Sequence, residues 1–466
     1  MILLNLLILF ATLQSPDQSP TSVRVYVFTM TATTGEPSDD EKDRLAAVTD
    51  MREALGQKKG ITVVDNLQQS NVQMEVLGRE QREEPTGSFG GKSITRMGDT
   101  IIRLRVRSGE DESDLKGMGQ GTYSRAAKDA ADRFVKWIAR REPERSEQAA
   151  KPLEIYFIDV EGGQATLFVT PSGESMLIDA GYPGFADRDV NRIVSTIKQA
   201  GLTKLDVLLV THHHDDHVGN VPAIAARIPV VTFVDHGETV ETSPESKALY
   251  DNYLKARASG RHLLARPGVK IPLRDLDMTV VSAHGDKLAQ PLAGAGAPTR
   301  ECASFTPKAD DPTENARSVG AMIAFGRFRM IDLGDLTWNK EQELVCPNNL
   351  LGTVDVYLTT HHGLDQSNAP VILHALKPRV AIMNNGPKKG GSVEAMRAIR
   401  ALPGLEDFWQ LHYSVDAGKD VNMPERMIAN LDESAAHFIK LTAQRDGSFT
   451  VTNSRTKETK AYRSTR

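Results

Sequence analysis

Residues 211–219 read Thr211-His212-His213-His214-Asp215-Asp216-His217-Val218-Gly219 and follow the apolar run Leu205-Asp206-Val207-Leu208-Leu209-Val210. Four of the chain's twelve histidines and two of its aspartates fall in six consecutive positions. Imidazole and carboxylate are the groups that hold zinc and similar divalent ions. A short apolar run bounded by turn residues predicts a buried strand, and a strand that ends in such a cluster delivers several donors to one place. His212 and His214 alternate along an extended segment and can face one ion, while Asp216 and His217 can reach a second about 3.5 Å away. His213 points the opposite way from its neighbours and is expected to serve structure.

Outward from this segment, 466 residues are too many for one small domain. Apolar content of 40% with 25% charge is that of an ordinary globular protein, and a net charge of -5 gives no sign of a strongly basic nucleic-acid surface while leaving a local basic patch open. Met1–Leu13 is almost wholly apolar, the length of a secretory signal core and too short to span a bilayer. Residues 1–22 are therefore read as a signal peptide and spacer, which gives a periplasmic or secreted location, with the cytoplasm as the alternative. Nothing later in the chain is long and apolar enough for a membrane helix. Cys302 and Cys346 are the two cysteines; in an exported chain they can pair, and in a reducing compartment they remain thiols.

Residues 23–141 predict a small α+β domain. Strands are expected at 23–30, 61–65, 72–77 and 100–106, and helices at 39–55, capped by Asp39 or Asp40, and at 124–140. Gly87–Gly91 and Gly117–Gly121 read as flexible loops. No catalytic constellation lies here, and by its position alone the domain is a candidate module for a cell-envelope partner. The charged, proline-bounded stretch 142–152 reads as a linker. From Leu153 strands and helices alternate through residue 435, with a long Ala-, Gly- and Pro-rich loop at 285–317. Residues 436–466 read as a β-hairpin turning at Asp446-Gly447.

Written as His212-x-His214-x-Asp216-His217, the cluster resembles the H-x-H-x-D-H signature of the metallo-β-lactamase fold superfamily. Three other stretches occur in that family's order. Met176-Leu177-Ile178-Asp179-Ala180-Gly181 resembles the early strand with its buried aspartate. Ile331-Asp332-Leu333-Gly334-Asp335 resembles the strand whose terminal aspartate bridges two ions, and Thr360-His361-His362-Gly363 the late strand carrying the last histidine. Within the superfamily, the His-His-Gly ending, Ile158-Asp159-Val160 and Glu314-Asn315-Ala316-Arg317-Ser318 resemble the branch of the ComEC C-terminal domain and the phosphorylcholine esterases. That branch has Asp-Val-Gly-Gln-Gly after its first strand, where this chain has Asp159-Val160-Glu161-Gly162-Gly163-Gln164.

The resemblance covers residues 153–435 and implies an α/β chain, an αββα sandwich preceded by the separate α+β domain and followed by the hairpin. It implies a dinuclear centre held by His212, His214, Asp216, His217, Asp335 and His361, with two divalent ions as cofactors. Zinc is favoured by the His/Asp mix, with iron or manganese able to occupy the same set. Of the pair His361 and His362, one is expected to bind metal and the other to pack, with His361 preferred as ligand and His362 placed with Asp216 among the catalytic groups. Asp179 is expected behind a ligand histidine, fixing its tautomer. His236 and His284 are alternatives for a third ligand on the first ion or for a substrate contact. Lys388 and His412 are further candidates to meet substrate.

The implied chemistry is hydrolysis of a phosphodiester or similar anionic ester by a water ionised between the two metals. Two other readings stay open: a lactonase or β-lactamase-type hydrolase, which needs the third histidine, and a non-catalytic binding module on the same fold. A small molecule or an anionic ester is the expected partner, and nucleic acid is possible but less favoured.

Overall fold

The computed structural model describes residues 23–31, 37–89, 92–108, 111–434 and 436–465. Residues 1–22, and the signal peptide read there, lie outside them. The chain forms two compact units, 1–146 and 147–466.

In the first unit, β1 (Val23–Phe28) pairs in parallel with β2 (Ile61–Val64) and β3 (Val72–Phe89). Antiparallel β4 (Lys92–Ser108) and β5 (Asp111–Gln120) complete a sheet of order β2-β1-β3-β4-β5. Helices α1 (Asp39–Gly56) and α2 (Tyr123–Ala150) pack Met51, Leu55, Ala127, Ala131 and Phe134 against Val25, Met74, Ile102 and Leu104. The α1 cap is Ser38, one residue earlier than expected. Its hydroxyl accepts from Glu41 N while the Glu41 carboxylate accepts from Ser38 N, a capping box that satisfies two otherwise unpaired donors. Asp39 and Asp40 fall instead in the first turn.

Two expectations differ here. Residues 117–121 are not a flexible loop; Gly117 and Gly119 lie on β5 under α2, where a Cβ on Gly117 would stand 2.2 Å from the carbonyl of Ala126. These glycines are strand residues that let a helix close onto a sheet. The stretch expected as a linker, 142–152, is helical as far as Ala150, because its Glu, Arg and Ala residues are strong helix formers.

The second unit is built in four layers. The first sheet collects β6 (Leu153–Phe157), β7 (Thr166–Val169), β8 (Ser175–Ile178), β9 (Leu205–Leu209), β10 (Val230–Asp235) and β11 (Arg261–Leu264). The second collects β12 (Lys270–Ile271), β13 (Asp277–Ala283), β14 (Asp286–Lys287), β15 (Gly320–Phe325), β16 (Phe328–Asp332), β17 (Val356–Leu358), β18 (Val380–Met383), β19 (Asp407–His412) and β20 (Ile428–Asn430). The chain then returns to the first sheet through β21 (Ile439–Ala443), β22 (Phe449–Asn453) and β23 (Thr459–Tyr462). The hairpin expected at the C-terminus thus carries a third strand, and it is a continuation of the sheet because β21 pairs antiparallel with β6.

Between the sheets lies one apolar core containing Phe157, Phe168, Ile178, Leu209, Val280, Ile323, Met330, Val356, Ile382 and Trp409. On the outer face of the first sheet, α3 (Arg188–Gln199), α5 (Val221–Ala225) and α6 (Pro244–Arg257) cover Leu167, Leu177, Leu208 and Phe233. On the outer face of the second, α8 (Pro370–Leu376) and α9 (Val393–Arg400) cover Ile331, Tyr357, Ala381 and Phe408. Strands such as β8 and β9 are apolar on both faces because helices cover one face and the opposing sheet the other. This is the αββα sandwich. Cys302 and Cys346 are joined by a disulfide that ties the 285–317 loop to the segment after α7 (Trp338–Glu343). Among the described residues no helix is long and apolar enough to cross a membrane.

Candidate metal centre

Parallel strands release their chains at the same edge, so the loops after β8, β9, β16, β17 and β18 converge. The β9 loop carries the His/Asp cluster, with α4 (Asp215–Val218) formed by its second half. The β16 loop carries Asp335. The β17 loop carries His361 and His362, both left-handed at φ 55° and 54°. Two consecutive residues of that conformation are uncommon without glycine and mark a loop held in place by its surroundings.

Asp216, His217, Asp335 and His362 meet in one buried group whose ligand-type atoms all lie within 4.8 Å of one another. His217 Nε2 is 3.2 Å from Asp216 Oδ2, 3.3 Å from Asp335 Oδ1 and 3.2 Å from His362 Nε2. His362 Nε2 is 3.2 Å from Asp216 Oδ2 and 3.3 Å from Asp335 Oδ2. His212 Nε2 and His214 Nδ1 face each other at 3.1 Å, and His212 Nε2 is 4.0 Å from Asp335 Oδ2. His361 Nε2 is 3.4 Å from Asp335 Oδ2. Asp335 therefore stands between the two halves of the donor set. The structure brings both histidines of the 361–362 pair to it, with His362 in the tighter group.

Burial drives Asp216 and Asp335 toward the neutral form, and the positive charge of the neighbouring histidines outweighs it, holding both carboxyls well below the usual range. His217 is raised against its own burial by Asp335, Asp216 and Asp179. His212 is pushed well down by burial and by His217. Asp335 Oδ1 is buried without a hydrogen-bond donor among the described residues. An unpaired carboxylate oxygen beside converging imidazole nitrogens fits divalent cations, which supply the missing charge and accept the nitrogen lone pairs.

Asp179, also left-handed at φ 60°, accepts from Thr211 N at 2.8 Å and Thr211 Oγ1 at 2.7 Å. Its Oδ2 lies 2.7 Å from His217 Nδ1. Gly163 presses on the Asp216 backbone, where a Cβ would stand 2.5 Å from the carbonyl oxygen, and Gln164 N donates to that same oxygen. Gln164 also donates to the buried Asp332, whose carboxyl burial pushes up to about 7.

The remaining candidates lie elsewhere. His236 donates to Glu314 at 2.9 Å, and His284 Nδ1 is 3.4 Å from His236 Nδ1. His412 is paired with Asp159 and Glu161, beside Arg192, in a separate buried network. Lys388 is exposed, whereas its neighbour Lys389 reaches Asp216 Oδ2 and lies over the Tyr182 ring. Sequence reasoning singled out Lys388 and missed this neighbour. It offered Glu314 only as part of a motif without a role.

Residues 158–297 match the sequence model of the metallo-beta-lactamase superfamily. The matched stretch opens the second unit and includes the His/Asp cluster of the β9 loop. A hydroxyacylglutathione hydrolase of Stenotrophomonas maltophilia is 33% identical over 104 residues, 22% of this chain and 37% of that protein. Recombination protein 2 of Haemophilus influenzae is 24% identical over 242 residues, 51% of this chain and 25% of that protein. The chain thus spans well under two thirds of either relative. Among solved structures, the metallo-beta-lactamase fold protein YhfI from Bacillus subtilis aligns with TM-score 0.37 and 10% identity, covering 56% of this chain and 96% of its own. Tm1679, a metal-dependent hydrolase of the beta-lactamase superfamily, aligns with TM-score 0.34 and 11% identity, covering 55% and 95%.

Proposed function

We propose that the second unit is a metal-dependent hydrolase of a phosphodiester or similarly anionic ester, its donor set holding two divalent ions, zinc first. The observation that carries this reading is Asp335, buried between the His212–His214 pair and the Asp216–His217–His362 group with one carboxylate oxygen unpaired. Such ions, when bound, acidify a water and take up the negative charge that builds on the attacked centre.

The chain's own residues do the rest. Asp179 keeps the proton of His217 on Nδ1 and leaves Nε2 bare toward Asp335. Asp216, a member of the converged group, would orient the attacking water by accepting a hydrogen bond from it. Lys389, at the rim beside Asp216, meets an anionic group of the substrate. The lactonase or β-lactamase alternative needs a third histidine on the His212–His214 side. The two candidates are engaged with Glu314 and with each other, which favours the phosphodiester reading. The partial match to recombination protein 2 supports the ComEC-like branch, and the disulfide supports export to an oxidising compartment.

The test is a substrate panel on metal-quantified protein: a chromogenic phosphodiester, a phosphomonoester, a lactone and a cephalosporin. Turnover of the phosphodiester that chelation abolishes and zinc restores is the expected result. Purified protein that takes up no metal from zinc-replete buffer ends the reading.

A further inference from the structure

The segment Thr313–Val319 crosses behind the β9 loop, and its residues touch nearly every position that orients the first half of the donor set. Glu314 is fully buried on the turn 314–317. Its Oε2 accepts from His213 N at 2.9 Å, His213 Nδ1 at 3.1 Å and His236 Nε2 at 2.9 Å. Its Oε1 accepts from Val240 N at 2.7 Å and Thr239 Oγ1 at 2.9 Å. Its own N–H donates to Glu241 Oε1 at 3.3 Å. Further along, Val319 N donates to Thr211 O at 2.8 Å. Ser318 Oγ accepts from Asp335 N at 3.2 Å and lies 3.5 Å from His212 Nδ1.

His213, His236 and Glu314 present ligand-type atoms close enough to hold an ion of their own. The donor count argues against it. A carboxylate offers about four lone-pair sites, and five N–H and O–H groups already point at this one. The grouping is an anchored anion, and it takes His236 away from the centre.

The effect falls on His212 and His214. Glu241, fixed by the Glu314 N–H, lies 3.4 Å from His214 Nε2 and accepts its proton, leaving Nδ1 bare. His212 Nδ1 lies 3.1 Å from Thr211 Oγ1, whose own proton goes to Asp179, so the hydroxyl accepts from that ring and leaves Nε2 bare. The two bare nitrogens are the ones that face each other at 3.1 Å.

We infer that Glu314 is a positioning residue for the His212–His214 half of the centre, acting through His213 and through the 236–241 loop; this rests on the metal-dependent reading above. Outer partners of ligand histidines fix tautomer and ring orientation, and their loss weakens metal binding by roughly 10- to 100-fold.

The test loads the full chain with Co2+, whose visible bands report ligand geometry, and follows stoichiometry and affinity by dialysis and titration. Wild type is expected to take up two ions. Glu314→Gln is expected to keep one at wild-type affinity and to bind the other roughly 10- to 100-fold more weakly, with altered bands for that ion alone. Glu241→Gln, at the loop surface, is expected to weaken the same ion and decides the matter if Glu314→Gln fails to fold. Two ions with unchanged affinity and bands in the variants overturn the inference and leave the hydrolase reading standing. So does equal weakening of both ions, the mark of a merely structural role. Wild type that takes up no cobalt overturns both.

Discussion

Oδ2 of Asp179 lies 2.7 Å from Nδ1 of His217, while the other ring nitrogen of that histidine faces Asp335 at 3.3 Å. A carboxylate behind a ligand imidazole holds the proton on the far nitrogen and raises the basicity of the near one. Asp179→Asn replaces one carboxylate oxygen with an NH2 donor, which cannot accept from Thr211 or His217. Zinc affinity is expected to fall by roughly 10- to 100-fold, measured by competition with a chromogenic chelator. An unchanged affinity would show that Asp179 serves only the fold.

Lys389 touches Asp216 across the rim, whereas Lys388 points to solvent. Hydrogen bonds to charged groups contribute about 1.5–3 kcal/mol. Lys389→Ala is therefore expected to raise KM for an anionic ester by roughly ten- to a hundredfold, with a smaller effect on a neutral ester. Lys388→Ala leaves both unchanged. Steady-state kinetics on the two substrates reads the difference, and equal losses on both would remove the anion-binding role.

Burial pulls the His412 pKa down, but the hydrogen bonds it donates to Asp159 and Glu161 overcome it and raise it to about 9 from 6.5. A folded-state pKa above the unfolded one contributes stability that is complete below about pH 6.5 and is lost as pH rises through about 9. The midpoint of urea unfolding should fall between pH 6.5 and 9.5 in wild type and fall less in His412→Gln. Parallel curves for the two proteins would contradict the assignment.

The disulfide closes a loop of 44 residues between Cys302 and Cys346. In the chain-entropy account such a closure adds about 4 kcal/mol at most. Dithiothreitol, or Cys302→Ser with Cys346→Ser, is expected to lower the unfolding midpoint while leaving metal stoichiometry unchanged. Loss of metal on reduction would mean that the centre depends on the disulfide itself and not on the Glu314 contacts alone.

The sequence was most legible where local and long-range requirements coincide. An apolar strand that must be buried, ending in donors that must converge, places β9 and its loop without help from elsewhere, and the same holds for β16 with Asp335. Less legible were features set by a partner distant in the chain. Gly117 and Gly119 resemble a loop until α2 lies on them. Lys388 and Lys389 are equivalent as letters, and only the folded turn shows that Lys389 is the one that reaches Asp216. Strand alternation suggests that one of His361 and His362 faces the centre, but two successive left-handed residues turn both rings toward Asp335. Glu314 is 101 residues from the histidine it grips, beyond the reach of any periodicity.

At Gly390 a Cβ would stand 2.3 Å from the carbonyl oxygen of His362, and the backbone there is left-handed at φ 79°. A single methyl group at this point collides with the main chain of a donor residue. The wall that carries Lys389 is thus closed to gradual adaptation, since almost any replacement at its tip disturbs the centre before it alters selectivity. Descendants of this chain that acquire new substrates should carry their changes away from this turn.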